Sequence, residues 1–201
     1  MCGRYYIENT TARELGQVVR QLTRGKGRDP GCMLERMEAG DVCPGREALV
    51  LRAEGGNLVW GWQRWGFSGF LDRKLVINAR CESVMEKPLF RDSIRYRRVV
   101  IPAAGFYEWN AGREKSSFYR KDAPVLFLAG LGRWQEDGEH FVILTTGANE
   151  SMKPVHDRMP LVLDQEEVLE WMLEDAGTKR LLKKTPCLLE RKTDYEQICL
   201  F

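Results

Sequence analysis

The apolar positions near the two ends of the chain follow helical spacing. A possible capping box at Thr11 to Glu14 precedes apolar residues at positions 15, 18, 19 and 22, which predicts a helix near 11–22. A second capping signature, Asp164 to Glu167, precedes the apolar run VLEWML and predicts a helix near 165–174.

The middle of the chain shows short strand-like runs instead. The stretch ALVLRAEGGNLVWGW is typical of a hairpin around a Gly-Gly-Asn turn. Further runs rich in β-branched and aromatic residues are LVINA, RRVVIPA, GFYEW, SFYR, PVLFLAG and HFVILTT. Strands in the middle with helices near the ends indicate an α+β fold. We therefore expect a single domain over residues 1–201, with a mixed or antiparallel sheet or a barrel-like core and peripheral helices.

Composition narrows the class of protein. The 201 residues are 43% hydrophobic and 30% charged, which is typical of a soluble globular protein, and the net charge of +2 does not by itself announce a nucleic-acid binder. We expect a cytoplasmic protein without a membrane partner, because the sequence has neither a bilayer-spanning apolar run nor a secretory signal. Six cysteines without a C-x-x-C pair, and only two histidines, give little support to a metal site. No cofactor is predicted.

Cys2 raises a chemical question of its own. If Met1 is removed, Cys2 carries a free α-amine beside its thiol, and this 1,2-aminothiol is a pair of nucleophiles that no internal cysteine offers. The alternative is that Cys2 belongs to a frayed terminus that tolerates any residue.

Three further polar residues lie within apolar strand patterns. Asn78 could cap a turn after the LVI strand. Glu108 stands among aromatic residues, so it lies either on a solvated strand face or in an apolar surround that raises a carboxyl pKa and suits a general acid. His156 precedes Asp157 and could be an ordinary surface histidine, although Pro154 and Pro160 restrict its segment.

Arginines and aromatic residues suggest a nucleic-acid surface. Arg4, Arg64, Arg80 and Arg158 lie beside the polar residues above, and RDSIRYRR adds four more arginines; their planar forks match phosphate oxygens. Trp60, Trp62, Trp65, Phe67 and Phe70 could stack on unpaired bases. The alternative is a hairpin with its aromatic residues in the core and its arginines in water.

Taken together, the motifs resemble the SOS response-associated peptidase family of abasic-site-processing proteins. The motifs that match, in the family's order and over roughly residues 1–175, are MCGRY at 1–5, VCPG at 42–45, WGF at 65–67, INARCE at 77–82, GFYEW at 105–109 and VHDRMP at 155–160.

The resemblance implies binding to single-stranded DNA and a covalent thiazolidine link between the N-terminal cysteine and an abasic site. Removal of Met1 by the protein itself and reversal of the link are also implied. By resemblance, Glu108 is the acid and base that opens the sugar, His156 assists proton transfer and Asn78 orients Cys2. The protein is expected to act as a monomer.

The same resemblance assigns residues to the DNA. Arg4 and Arg80 match positions that hold phosphates, and Arg158 is added as a phosphate candidate. Trp65 and Phe67 would shape the groove, while Phe70, with Leu71 and Pro44, would form the wedge. Two residues depart from the family pattern: Leu71 replaces an aromatic residue, and Asp41 either weakens phosphate binding or pairs with an arginine.

Two other functions stay open from sequence. An N-terminal cysteine whose amine serves as its own base is also the arrangement of amidohydrolases, so the chain could be a cysteine peptidase acting in trans. A nucleic-acid-binding module with an incidental Cys2 is the third reading.

Overall fold

The computed structural model describes residues 2–22, 31–68 and 75–193. In chain order its elements are β1 (Tyr5–Ile7), α1 (Thr11–Leu22), α2 (Gly31–Glu35), β2 (Gly40–Val42), β3 (Glu47–Glu54), β4 (Asn57–Trp65), β5 (Phe67–Ser68), β6 (Leu75–Val76), β7 (Asn78–Arg80), α3 (Pro88–Tyr96), β8 (Arg98–Ala103), β9 (Gly105–Trp109), β10 (Lys115–Tyr119), β11 (Leu126–Gln135), β12 (Gly138–Gly147), β13 (Arg158–Pro160), β14 (Val162–Leu163), α4 (Glu167–Leu173), α5 (Asp175–Leu181) and β15 (Glu190–Thr193).

Five strands close into a barrel. They follow one another in the order β12, β4, β3, β8 and β11, and β11 pairs again with β12. The β4–β12 pairing is parallel and the others are antiparallel, so the sheet is mixed. Strands β7, β13 and β14 extend this sheet beyond the ring. The predicted α+β fold with a barrel-like core is confirmed.

The two faces of the barrel strands pack against different partners. On β3, Leu49 and Leu51 belong to a cluster that includes helix residues such as Phe90 and Trp171. Val50, whose side chain points to the opposite face of β3, belongs to a second cluster, which contains no helix residues. Since helices cannot lie inside a five-stranded barrel, the row with Val50 faces the interior.

A second sheet covers one end of the barrel core, with strand order β15, β10, β9, β1 and β2. Strand β1 lies between β2 and β9, and Tyr5 pairs with Val42 on one side and Phe106 on the other. A Cβ at Gly105 would overlap the Tyr6 hydroxyl and the Phe118 carbonyl oxygen, so only glycine allows β9 to approach its neighbours this closely.

The local predictions have mixed outcomes. The helix near 11–22 is confirmed, and so is the hairpin, whose two turn residues Gly55 and Gly56 both have positive φ. The capping box is wrong, because the Thr11 hydroxyl accepts the Glu8 N–H and the Glu14 N–H donates to the Thr10 carbonyl. The predicted second helix is shorter, at Glu167–Leu173.

The basic run RDSIRYRR spans the end of α3 and the start of β8, and its first three arginines, Arg91, Arg95 and Arg97, are exposed. Arg98 is buried, and its guanidinium donates to the carbonyl oxygens of Trp171 and Ile94 and pairs with Asp175 at 2.9 Å. Within the described ranges, no helix is long and apolar enough to cross a membrane.

Candidate functional site

Cys2 is a wholly buried part of the core. Its side chain is 0% exposed and packs in the interior cluster with Tyr5 and Trp65. Pairing with β9 continues beyond β1, since the Tyr107 N–H donates to the Arg4 carbonyl at 2.9 Å. The thiol in turn lies 3.9 Å from that same carbonyl oxygen. Cys2 therefore does not belong to a frayed terminus.

Asn78 holds the backbone of Cys2. Its side-chain amide donates to the Cys2 carbonyl oxygen at 2.9 Å. Asn78 begins β7, which runs parallel to β12 with Asn78 opposite Ile143. Its Oδ1 is buried and has no hydrogen-bond partner among the described residues. The side chain thus fixes Cys2 with one atom and keeps an acceptor oxygen for another donor.

Glu108 lies on the buried face of β9. The residue is 3% exposed, whereas its neighbours Tyr107 and Trp109 are half-buried on the other face. The strand alternation therefore excludes the solvated face that sequence left open. A carboxylate at this position acts electrostatically on the thiol of Cys2.

The thiol of Cys2 is held in its neutral form. Burial first, and the charge of Glu108 second, raise its pKa from 9.0 to about 12. The contact with the Arg4 carbonyl opposes this shift only in part. At neutral pH Cys2 is thus a neutral thiol, and the buried Glu108 side chain acts on it.

His156 lies in the turn before β13. Its Nδ1 is 2.9 Å from the Arg158 backbone N–H and also 2.9 Å from Asp157 Oδ1. One nitrogen cannot accept from an amide and donate to a carboxylate at once, so the first contact requires Nδ1 without a proton and the second requires Nδ1 with one. The proton-transfer role of His156 stays a prediction.

The predicted phosphate arginines have different surroundings. Arg4 pairs with Asp41 at 3.3 Å and lies 5.5 Å over the Trp109 ring, so the departure at Asp41 is paired with an arginine. Arg80 is exposed at the end of β7. Arg158 forms a bidentate salt bridge with both carboxylate oxygens of Glu82, at 2.7 and 3.0 Å, and also donates to the Thr145 carbonyl.

The predicted DNA aromatics are mostly internal. Trp65 and Phe67 are wholly buried, so they support the site from within the protein and present no ring surface to DNA. Trp65 Nε1 donates to the Ile77 carbonyl at 3.0 Å and thereby holds the residue before Asn78. Pro44 is partly exposed. Phe70 and Leu71 lie outside the described residues.

One link between motifs was missed by sequence reasoning. The Glu82–Arg158 pair joins the stretch INARCE to the stretch HDRMP across 76 positions. A signal was present, because the two stretches carry side chains of opposite charge. It was hidden by the assignment of Arg158 to phosphate.

The fold and the site define a class: a small barrel protein whose second residue, a cysteine, is buried beside an asparagine and a glutamate. The family model for SOS response associated peptidases (SRAP) matches residues 1–197, and the chain belongs to this family. The abasic site processing protein YedK of Escherichia coli is 30% identical over 187 residues, covering 89% of this chain and 82% of YedK. The abasic site processing protein YoqW of Bacillus subtilis is 32% identical over 186 residues, covering 86% and 80%.

Solved structures share the fold. A phage-related protein from Bordetella bronchiseptica aligns with a TM-score of 0.74 and 22% identity, covering 97% of this chain and 95% of that one. A protein from Bacteroides thetaiotaomicron aligns with a TM-score of 0.73 and 23% identity, covering 96% and 91%.

Proposed function

We propose that this protein processes abasic sites in single-stranded DNA by forming a covalent thiazolidine link between Cys2 and the lesion, after Met1 has been removed. The names of its relatives support abasic-site processing. The observation that carries the proposal is the grouping of the buried Cys2 and Glu108 with the partly buried Asn78.

The chemistry proceeds in two balanced steps. The ring-opened abasic sugar offers an aldehyde, and the α-amine of Cys2 adds to it and loses water to give an imine. The thiol sulfur then bonds to the imine carbon, the C=N π bond breaks, and the nitrogen gains a proton. An ordinary α-amine has a pKa of about 7.7–8.0 and is partly neutral at cellular pH, so it reacts first.

Glu108 acts as the base and then as the acid in the second step. The thiol must lose its proton as sulfur attacks, and its high pKa means that a base has to take it. Glu108 is the carboxylate whose charge acts on this thiol, so we assign it to accept the thiol proton and return it to the ring nitrogen. Run backwards, the same transfer opens the ring and reverses the link.

Asn78 and the arginines orient the reactants. The bond from Asn78 to the Cys2 carbonyl fixes the direction of the aminothiol, and its buried Oδ1 is available to the α-amine or a sugar hydroxyl. His156 is assigned to proton transfer at the opened sugar. Arg4 and Arg80 are assigned to the flanking phosphates, which requires Arg4 to exchange Asp41 for phosphate.

The raised thiol pKa counts against a cysteine peptidase acting in trans. Such enzymes attack with a thiolate, which their surroundings favour by lowering the pKa. Here burial and Glu108 have the opposite effect. An imine-first route does not need a thiolate.

Intact mass tests the proposal. The purified protein is measured before and after incubation with a single-stranded oligonucleotide carrying one abasic site. We expect loss of Met1, followed by an adduct equal to protein plus DNA minus water. An undamaged oligonucleotide is the control. If Met1 is absent and no adduct forms, the proposal is wrong.

A further inference from the structure

A second polar cleft lies at another place on the barrel. We call it the arginine cleft and define it by Arg52, Gln63, Tyr96, Arg97, Arg133 and Trp134, which line a cavity of about 200 Å³. Arg52 and Gln63 belong to the same interior-facing rows as Val50 and Trp65, so the cleft is an open end of the barrel.

The arginine cleft is separate from the Cys2 site. Glu139 lines the cleft, whereas Ile143 on the same strand is the partner of Asn78. Four residues of extended strand correspond to about 13 Å. Cys2, Asn78 and Glu108 are all absent from the lining of the cleft.

An orphaned acceptor marks the floor of the cleft. Gln63 is 3% exposed, and its Nε2 donates to Glu139 Oε2 at 3.4 Å, which fixes the orientation of the amide. Its Oε1 is buried without a hydrogen-bond partner among the described residues. Gly132 leaves this oxygen uncovered, since a Cβ there would come within 3.4 Å of it. A buried carbonyl in this state favours a ligand with an N–H or O–H donor.

Two arginines, Arg52 and Arg97, line the same cavity as that acceptor. Arg97 is exposed on the rim and forms no ion pair with any described residue. The Nε of Arg52 is buried without a hydrogen bond in the same described part, with Glu139 Oε2 3.9 Å away. Its Nη2 pairs with Glu54 at 3.3 Å, so a phosphate on Arg52 would take the place of that carboxylate. Guanidinium groups match the oxygens of a phosphate.

Aromatic side chains complete the rim. Among the described residues, Tyr96 and Trp134 are the aromatic members of the exposed large hydrophobic set, at 79% and 61% exposed, and both line this cleft. Exposed aromatic rings beside arginines provide stacking surfaces for nucleobases.

We propose that the arginine cleft binds one nucleotide unit, with its phosphate on Arg97 and Arg52, its base on Trp134 or Tyr96, and a donor group on Gln63 Oε1. The small volume suits a single unit rather than a large cofactor. The unit comes either from a free nucleotide or from a strand of nucleic acid. The inference does not depend on the proposed crosslink.

Tryptophan fluorescence provides a local test. All six tryptophans lie in the described ranges, and only Trp134 is exposed, so it dominates quenching by acrylamide. Undamaged oligothymidylate of twelve residues and thymidine monophosphate are titrated separately against the full-length protein. We expect protection from quenching, and Trp134→Phe should abolish the protected signal.

Charge reversal locates the binding. Arg97→Glu should weaken protection roughly tenfold, because a charge-assisted phosphate contact is lost. Arg91→Glu makes the same change on an exposed residue of α3 outside the cleft and should leave protection unchanged. Protection by the monophosphate assigns the cleft to free nucleotides, and protection by the oligonucleotide alone assigns it to a strand.

The proposal is wrong if neither probe protects Trp134, or if Arg91→Glu weakens protection as much as Arg97→Glu. These outcomes are distinct from failure of the proposed function. Undamaged DNA forms no link to Cys2, and the abasic adduct is scored by mass.

Discussion

Cys2 and Cys81 are two buried thiols with nearly the same surroundings. Both are almost inaccessible, at 0% and 4% exposed, and each has a pKa raised by burial and then by one glutamate to about 12. The two glutamates differ in their surroundings. Glu82, beside Cys81, forms a salt bridge with Arg158, whereas Glu108 is buried near the chain terminus. Burial and a raised pKa therefore do not identify a reactive cysteine. Under the proposed function, what separates the two is the adjacent α-amine that removal of Met1 would give to residue 2 alone.

The largest expected effect separates the two thiols directly. Cys2→Ser should lower the yield of heat-stable crosslink by more than about 100-fold, because the hydroxyl cannot close a thiazolidine. Cys81→Ser should stay within about twofold of the wild type, since that thiol has no neighbouring amine. Both are measured by denaturing gel with an abasic oligonucleotide. If both variants lose crosslink yield equally, the proposed difference between Cys2 and Cys81 is wrong.

A smaller effect is expected from the two glutamates. Glu108→Gln should slow crosslinking at saturating DNA by about 10- to 100-fold, because the acceptor of the thiol proton is lost. Glu82→Gln makes the same change beside Cys81 and should alter the rate less than about twofold. Single-turnover rates provide the measurement. A slow Glu82→Gln and a normal Glu108→Gln would reverse the assignment.

The smallest effect is on stability at alkaline pH, where the two thiols should behave alike. A folded pKa near 12 against 9.0 means that the folded state keeps a proton that the unfolded state loses. The resulting stabilisation is complete below pH 9 and is lost progressively as pH rises toward 12. Each thiol then makes unfolding easier by about 1 kcal/mol at pH 10 relative to pH 7.5.

Urea denaturation of Cys2→Ala and Cys81→Ala at both pH values checks this. Each variant should show a decline about 1 kcal/mol smaller than the wild type. The decline is compared rather than the absolute stability, which a cavity also changes. If the decline in the free energy of unfolding becomes smaller in only one variant, the two thiols are not equivalent.

The sequence predicted what depends on local periodicity. The spacing of apolar residues was enough for α1, and two glycines were enough for the β3–β4 turn. Helix α3 was not predicted, although Phe90 and Ile94 have the i, i+4 spacing of a buried face.

The geometry of the site was beyond local patterns. The bond from Asn78 to Cys2 spans 76 positions and depends on a parallel pairing of β7 with β12. Residues 106 to 109 read Phe-Tyr-Glu-Trp, so aromatic character lies on both faces and hides which one is buried. Only the neighbours of β9, on β1 and β10, decide that Glu108 points inward.

The position of β1 between two strands has a mechanical consequence. Only two residues separate Cys2 from a strand that is hydrogen-bonded along both edges. Tension on a DNA strand attached at Cys2 would run along β1 and load both ladders in shear. Several hydrogen bonds would then share the force at once instead of opening one after another. An attachment point at Cys2 would thus be anchored against being pulled out by a protein that moves along the DNA strand.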